Sequence, residues 1–423
     1  MIGKLLKMVK SSNKKRGRNI TVGAVVGMLL SCSSVMKAEE FLWIRGNGEK
    51  IEYNTAITTD DNGTTGNWSN ANPYSERNTM ESGTYTNNIT LSGTDNGNRI
   101  GYGLRFSGDI NGLNFVNNGN INADLSISGS SYGIYVDSAK NMGDIENNGN
   151  IQTIASSGYN SIGIWISNAE KVGNIINNGN VSAFNDGSRK YLRGIFLFSV
   201  KKVGNILNNG NISAYDTTMS IDALYGITLR VDDTIKNNMG NIENNGSILA
   251  GAPNDSSGNA TGVSAGGDGN IINNGDIRAY SSTNSYGIHA DNIGNIINNG
   301  SISAFDNDFT NYGNKYNKFG IVLPENSNVG NVVNTGVIFG GSGIIEIYKD
   351  GNIDLLSNCG MFILGFGDSI TSGVGTATTT KDYGMNITNV NSEISKDNTD
   401  EDFVVTLGDE AKDLAGTDGN NGV

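Results

Sequence analysis

Ile145-Glu146-Asn147-Asn148-Gly149-Asn150-Ile151 returns as Ile175-Ile176-Asn177-Asn178-Gly179-Asn180-Val181 and again as Ile206-Leu207-Asn208-Asn209-Gly210-Asn211-Ile212. Aligning the glycine after the asparagine pair gives Gly119, Gly149, Gly179, Gly210, Gly246, Gly275, Gly300, Gly336 and Gly360, the last two keeping only the first asparagine, at intervals of 30, 30, 31, 36, 29, 25, 36 and 24 residues. A second anchor is an aromatic-Gly-Ile motif: Tyr132-Gly133-Ile134, Tyr225-Gly226-Ile227, Tyr286-Gly287-Ile288 and Phe319-Gly320-Ile321. In five copies this glycine stands 16 residues before the Asn-Asn-Gly glycine, and the length variation falls elsewhere. A fixed block with a variable insert is how a solenoid coil carrying a protruding loop reads.

Alternation makes the coils strands. Ile134/Val136, Ile164/Ile166, Ile195/Leu197 and Ile227/Leu229 sit at i and i+2, as do Ile212/Ala214, Ile277/Ala279 and Ile302/Ala304. Period-2 pairs put one face inward. By the same alternation Asn147, Asn177, Asn208, Asn244, Asn273 and Asn298 lie on the inner side, where amides in register on successive coils bond along the stack. Asn-Gly is expected to supply a positive-φ corner. The expected fold is therefore all-β: a parallel β-helix (solenoid) of about nine coils, right-handed by the usual crossover hand. A β-propeller blade uses about four strands in 40 or more residues, longer than these repeats. Regular isoleucine placement in each repeat argues against disorder.

Composition narrows the function. The 423 residues include 59 glycines, 65 asparagines, 3 prolines, 2 cysteines and a single histidine. So little cysteine and histidine leaves almost nothing for a multi-ligand metal site or a His-based dyad, and no cofactor is expected. Residues 1–38 hold 8 Lys/Arg and no acid, whereas residues 39–423 hold 21 bases against 42 acids. A surface of net charge −21 repels phosphate backbones, so no nucleic-acid partner is expected.

The basic start carries a targeting signal. Lys4 through Arg18 are strongly positive, Ile20 to Leu30 is apolar, and small residues follow from Ser31 to Ala38. Positive, apolar, then small is the order of a secretory signal peptide, and about 12 apolar residues are too short to span a bilayer. An ordinary cut falls after Ser34 or Ala38. Leu29-Leu30-Ser31-Cys32 is also a loose lipobox, which makes Cys32 a candidate lipidation site. The zones read as 1–38 signal peptide, 39–100 β-rich N-terminal cap, 101–370 solenoid repeats and 371–423 Thr-rich, irregular acidic tail.

The extended basic signal, the Phe41-Leu42-Trp43-Ile44 start, the Asn67-Trp68-Ser69-Asn70-Ala71-Asn72-Pro73-Tyr74 stretch and the Gly-Asn-Ile-x-Asn-Asn-Gly-x-Ile repeats together resemble the N-terminal passenger of large autotransporter-like (type V secretion) surface proteins of Gram-negative anaerobes. The resemblance covers nearly the whole chain. It implies a β-helical passenger delivered to the outer membrane and cell surface by a translocator barrel. No series of about ten-residue alternating membrane strands follows Ile370, and Val423 stands where such barrels carry an aromatic residue. The barrel is therefore expected on a separate chain or in a longer form of this one.

Three functions compete: a structural or adhesive passenger binding a host glycan or protein, a lipid-anchored variant using Cys32, and a β-helix polysaccharide lyase or hydrolase. The enzyme needs paired carboxylates, or a basic residue beside acidic calcium ligands. Asp232-Asp233 and Asp306-Asn307-Asp308 are close acid pairs within the repeats, but both fall in variable stretches and read as solvated loop charge. Asp60-Asp61-Asn62-Gly63 and Asp418-Gly419-Asn420 lack calcium-loop spacing and read as turns. His289 reads as a surface histidine. The expectation is an adhesive, non-enzymatic passenger. Its candidate contact platform is Tyr135, Trp165 and Phe196, one outward ring per coil, with Phe198 further along. The competing reading is that the rings stack on each other, or lie beneath the variable loops at 124–131, 154–161 and 184–193.

Overall fold

The computed structural model describes residues 41–364, except 57–58, 61–62, 65–67, 95–99, 126–128, 156–158, 186–190, 217–221, 231–237, 253–257 and 306–316. It also describes strand residues 369–373, 376–379, 394–396 and 403–405. The signal-peptide residues with Cys32, and most of the acidic tail, lie outside the described residues.

The chain is a parallel β-solenoid with three faces. One turn runs Ser130–Asp137 on face I, Asn141–Asn147 on face II and Asn150–Ala155 on face III, then returns to face I at Ser161–Ser167. Face I is a 12-stranded sheet, face II 13-stranded and face III 10-stranded. Equivalent residues of successive coils pair directly: Ile134 with Ile164, Asn147 with Asn177, and Ile151 with Val181. Each of these apolar residues is at most 1% exposed, and the alternating isoleucines form one continuous core down the molecule.

The asparagine ladder is longer than the repeat alignment suggests. Asn87, Asn117, Asn147, Asn177, Asn208, Asn244, Asn273, Asn298, Asn334 and Asn358 form one buried column. Each Nδ2 donates to the next Oδ1, as at 2.8 Å from Asn147 to Asn177 and 2.7 Å from Asn208 to Asn244. The same Nδ2 also donates to the glycine carbonyl two residues on, 3.0 Å for Asn147 to Gly149, which fixes which amide end faces which coil. A second column, one residue later, lies on the surface with opposite polarity: Asn178 donates back to Asn148 and Asn209 back to Asn178, both at 2.8 Å.

The expected positive-φ corner at Asn-Asn-Gly is not there. None of these glycines has a left-handed backbone; left-handed residues recur instead at the corner between faces I and II, among them Asn111, Ser138, Asn168, Ser199, Asn292 and Asn326 (φ 52° to 59°). Glycine is required at the asparagine corner for a different reason. A Cβ on Gly149 would stand 1.7 Å from the Gly119 carbonyl oxygen, because backbones of adjacent coils meet there. The N–H groups of Asn148 and Gly149 both donate to the Asn117 carbonyl, at 2.7 and 3.1 Å. The aromatic-Gly-Ile glycine is also steric: a Cβ on Gly133 would lie 2.3 Å from Ile151 Cγ2 and 2.5 Å from the Gly163 carbonyl. This closeness turns both Gly133 and Ile134 inward, so Tyr132 and Tyr135 both emerge on the outer side.

Residues 39–100 are not separate from the repeats. Phe41–Asn47 pairs in parallel with the face I strand Ile100–Asp109, Thr84–Asn87 opens face II and Leu91–Thr94 opens face III. The first coil thus begins at Phe41, and Asn87 starts the ladder. The capping role expected of this zone falls to an insert within that coil. Ile51–Ala56 pairs antiparallel with Phe41–Asn47, and Thr79–Glu81 with Thr84–Asn87, which covers two sheet edges that would otherwise recruit another chain. At the other end, Ser369–Gly373 and Thr376–Thr379 continue faces I and II beyond the expected boundary at 370.

Two substitutions test these constraints. Asn208→Leu orphans buried amide groups of Asn177 and Asn244 and is expected to cost about 1–3 kcal/mol, whereas Asn209→Leu, on the surface column, should leave the melting midpoint close to wild type. Equal shifts in thermal melts of the two variants would contradict an energetic role for the inner ladder. Gly133→Ala is expected to cost about 1–3 kcal/mol through overpacking, read as a lower urea midpoint; an unchanged midpoint would mean the coil contact relaxes freely.

Candidate binding face

Face I carries the aromatic residues, and backbone register orders them. Trp43, Arg105, Tyr135, Trp165, Phe196, Thr228, Ser264 and His289 occupy one outer column on successive coils. A second outer column runs Tyr102, Tyr132, Ile162, Arg193 and Tyr225. The predicted stripe of Tyr135, Trp165 and Phe196 therefore exists in register and ends at Thr228. It extends two coils further towards the N-terminus, through Arg105 to Trp43.

It is not an open platform. Tyr135 and Phe196 are only 9% and 7% exposed, Trp165 is half-buried, and the rings form a cluster with Phe41, Trp43, Tyr102 and Tyr132. Tyr102 and Tyr135 stack at 5.3 Å and 8°, and Tyr135 lies 4.6 Å from Trp165. Centroids this close leave the ring faces against one another, and a sugar needs a free face. The expectation of a flat contact surface at these three residues is corrected accordingly: their main physical role is side-chain packing along the outside of the sheet, worth about 0.5–1.5 kcal/mol per pair beyond area burial. Arginine joins in. The Arg105 guanidinium lies 4.3 Å from the Trp43 ring and pairs with Asp137 at 3.0 Å, and Arg45 sits 3.7 Å over Trp68.

Exposure appears where the stack ends. The strand Tyr191–Phe198 has Tyr191 38% and Phe198 37% exposed at its two ends, with Arg193 between them. Arg193 lies 4.2 Å from the Phe196 ring, 4.5 Å from Tyr191 and 5.3 Å from Tyr225. Burial pulls its pKa down to about 10; the neighbouring tyrosines oppose this shift and Arg230 adds to it. Its Nε is buried without a hydrogen-bond partner, and so is Nε1 of Trp165. No charged partner stands beside Arg193 among the described residues, and it is held by rings alone.

Arg193 is not among the residues predicted from sequence, because the stripe is defined by the residue after each Gly-Ile pair and Arg193 precedes it. The signal was present: arginine takes the place of the aromatic residue in Arg193-Gly194-Ile195. Sequence reasoning also missed an outer aromatic column on face III, where Phe184 meets Tyr215 at 6.4 Å and Tyr280 stacks on Phe305 at 5.5 Å. The steps Ala183-Phe184, Ala214-Tyr215, Ala279-Tyr280 and Ala304-Phe305 announced it. His289 is half-buried beside Tyr286, and burial holds its pKa below the ordinary value. Asp232-Asp233, Asp306-Asn307-Asp308 and Asp418-Gly419-Asn420 lie outside the described residues, as do Asp61 and Asn62, and so do the inner parts of the loops at 124–131, 154–161 and 184–193.

No family model, curated protein or solved structure matches this chain in sequence or structure comparisons.

The packing role predicts a stability phenotype. Tyr135→Thr keeps strand preference but removes a buried ring, and losses of this kind cost about 3–5 kcal/mol for an aromatic truncated to alanine. A clear drop in melting midpoint is expected for Tyr135→Thr and a smaller one for Phe198→Thr, which is more exposed. Identical midpoints for wild type and Tyr135→Thr would restore the open-platform reading.

Proposed function

We propose that this chain is an exported, surface-displayed passenger whose work is structural or adhesive, with a three-faced solenoid as a rigid shaft and its corners and loops as contact points for host or neighbouring-cell surfaces. The observation that carries the reading is the junction at residues 38–41. The basic, apolar and small-residue segment ends at Ala38, and the first solenoid strand starts at Phe41. A secretory signal followed at once by a coil stack is what an exported filament-like domain requires. A stack in which each repeat contacts its neighbours tolerates insertions at the corners, so contact loops can vary while the shaft stays intact. The translocator barrel implied by the resemblance belongs to the same proposal.

The test is fractionation of expressing cells with sequencing of the mature N-terminus. The expected product is surface-exposed and starts near Glu39. A cytosolic product retaining Met1 would sink the reading, and a blocked N-terminus at Cys32 carrying fatty acid would replace the peptidase cut with a lipid anchor. Purified chain should also compete with expressing cells for adhesion to host or neighbouring cells; absence of competition would leave the structural role alone.

A further inference from the structure

The charge of the chain is lopsided along the solenoid. Residues 140–236 hold nine bases and eight acids, whereas the rest of residues 39–423 holds twelve bases and thirty-four acids. Among the described residues, the cations of this window lie on face I and at the adjoining corner. Phe198 is paired in register with Arg230, and the exposed Lys140, Lys171, Lys201 and Lys202 stand at the face I–II corner of the same and preceding coils. One of them, Lys201, reaches Glu170 at 3.7 Å; both groups are largely exposed, so this pair holds the lysine only weakly.

Arg193 sets the chemistry. Buried guanidinium groups are normally matched by a carboxylate or several acceptors, because an uncompensated charge in a low-dielectric site is costly. Here the half-buried guanidinium lies against Tyr191, Phe196 and Tyr225, its Nε is unsatisfied, and among the described residues the charge of Arg230 opposes its own. The two arginines lie on one face, Arg193 beside the exposed ring of Tyr191 and Arg230 in register with the exposed Phe198. We propose that Arg193 and Arg230 form an anion-recognition site for an acidic polysaccharide, whose carboxylate or sulfate groups pair with the guanidiniums while the chain continues over the lysines of the corner. This rests on the adhesive reading above and names its ligand class. A polysaccharide fits better than nucleic acid. The corner cations recur about once per coil, at the strand spacing of about 4.8 Å, whereas duplex DNA carries one charge per about 1.7 Å and would meet the strongly acidic remainder of the molecule.

The experiment uses the secreted full-length chain and immobilised heparin, polygalacturonate and neutral dextran. Retention on heparin, polygalacturonate or both, lost as salt is raised and absent on dextran, is the expected result; heparin alone assigns sulfate and polygalacturonate alone assigns carboxylate. Arg193→Gln and Arg230→Gln should each weaken binding about tenfold or more, as for loss of one charge-assisted contact. Arg278→Gln, at a guanidinium already paired with Asp276 on face III, should not weaken it. Arg230 is exposed, so its variant keeps the test valid if Arg193→Gln does not fold. Equal retention of wild type and Arg230→Gln, retention on dextran, or tighter binding to duplex DNA would overturn the proposal. A surface-located, adhesive chain indifferent to these polymers would refute this inference alone. A cytosolic chain that binds them would refute the passenger reading and leave the site standing.

Discussion

A buried side-chain amide has two donors and an acceptor to satisfy, and in this molecule the acceptor is met by the identical amide of the preceding coil. That requirement makes the inner asparagine column the constraint on which the fold depends. It fixes register, since a slip of one residue would turn every asparagine outward and every isoleucine with it. It also fixes rise, because the Oδ1 acceptor must fall 2.6 to 2.8 Å from the donor below it. Hydrogen bonds in line polarise one another. The surface column runs with the opposite polarity, so the two amide rows at this corner oppose each other's dipoles. The chain end of the inner row is visible at Asn87, whose Oδ1 has no partner.

Close backbone approach follows from that rise. At the asparagine corner the glycine carbonyl of one coil occupies the space a Cβ would take in the next, so glycine and asparagine recur together for one geometric reason. The two residues were legible in the sequence, but the reason was not. Asn-Gly commonly signals a left-handed turn, and the local sequence cannot distinguish that from a steric demand made by a neighbouring coil thirty residues away. Left-handed positions fell instead at the face I–II corner, on several coils to Ser138, Asn168 and Ser199, where no glycine marks them. Period-2 isoleucines and the inward asparagines were readable because each depends on its own strand alone. The first coil was hidden for a related reason: its insert between Asn47 and Thr84 breaks the repeat interval, although Phe41-Leu42-Trp43-Ile44 holds the alternation of a face I strand.

The outer rings show the same division between what a strand dictates and what its neighbours add. Alternation placed Tyr135, Trp165 and Phe196 outward, and the register agrees. Outward in a stack of parallel strands differs from exposed. Large side chains in one column lie a coil apart, and aromatic rings fill that distance with little left for water. Adjacent large residues such as Tyr132, brought to the same side by the double inward step at Gly133 and Ile134, close the remaining gaps. Exposure is therefore a property of where a column ends.

This shifts the search for contact chemistry from the middle of the stripe to its margin. Phe196 is followed in its column by Thr228, so the ring stack stops there, and on the next coil Arg193 meets Tyr225 while Phe198 meets the charged Arg230. Rings hold the Arg193 guanidinium in place without neutralising it. Aromatic faces stabilise a cation by about 0.5–2 kcal/mol but bring no negative charge, and the half-buried guanidinium keeps its Nε unpaired. The long ladder and core fix the strands on either side, so the arginine is presented in one place. A cation presented this way favours a ligand that brings negative charge, and in an otherwise acidic molecule that preference stays confined to the few coils between Lys140 and Arg230.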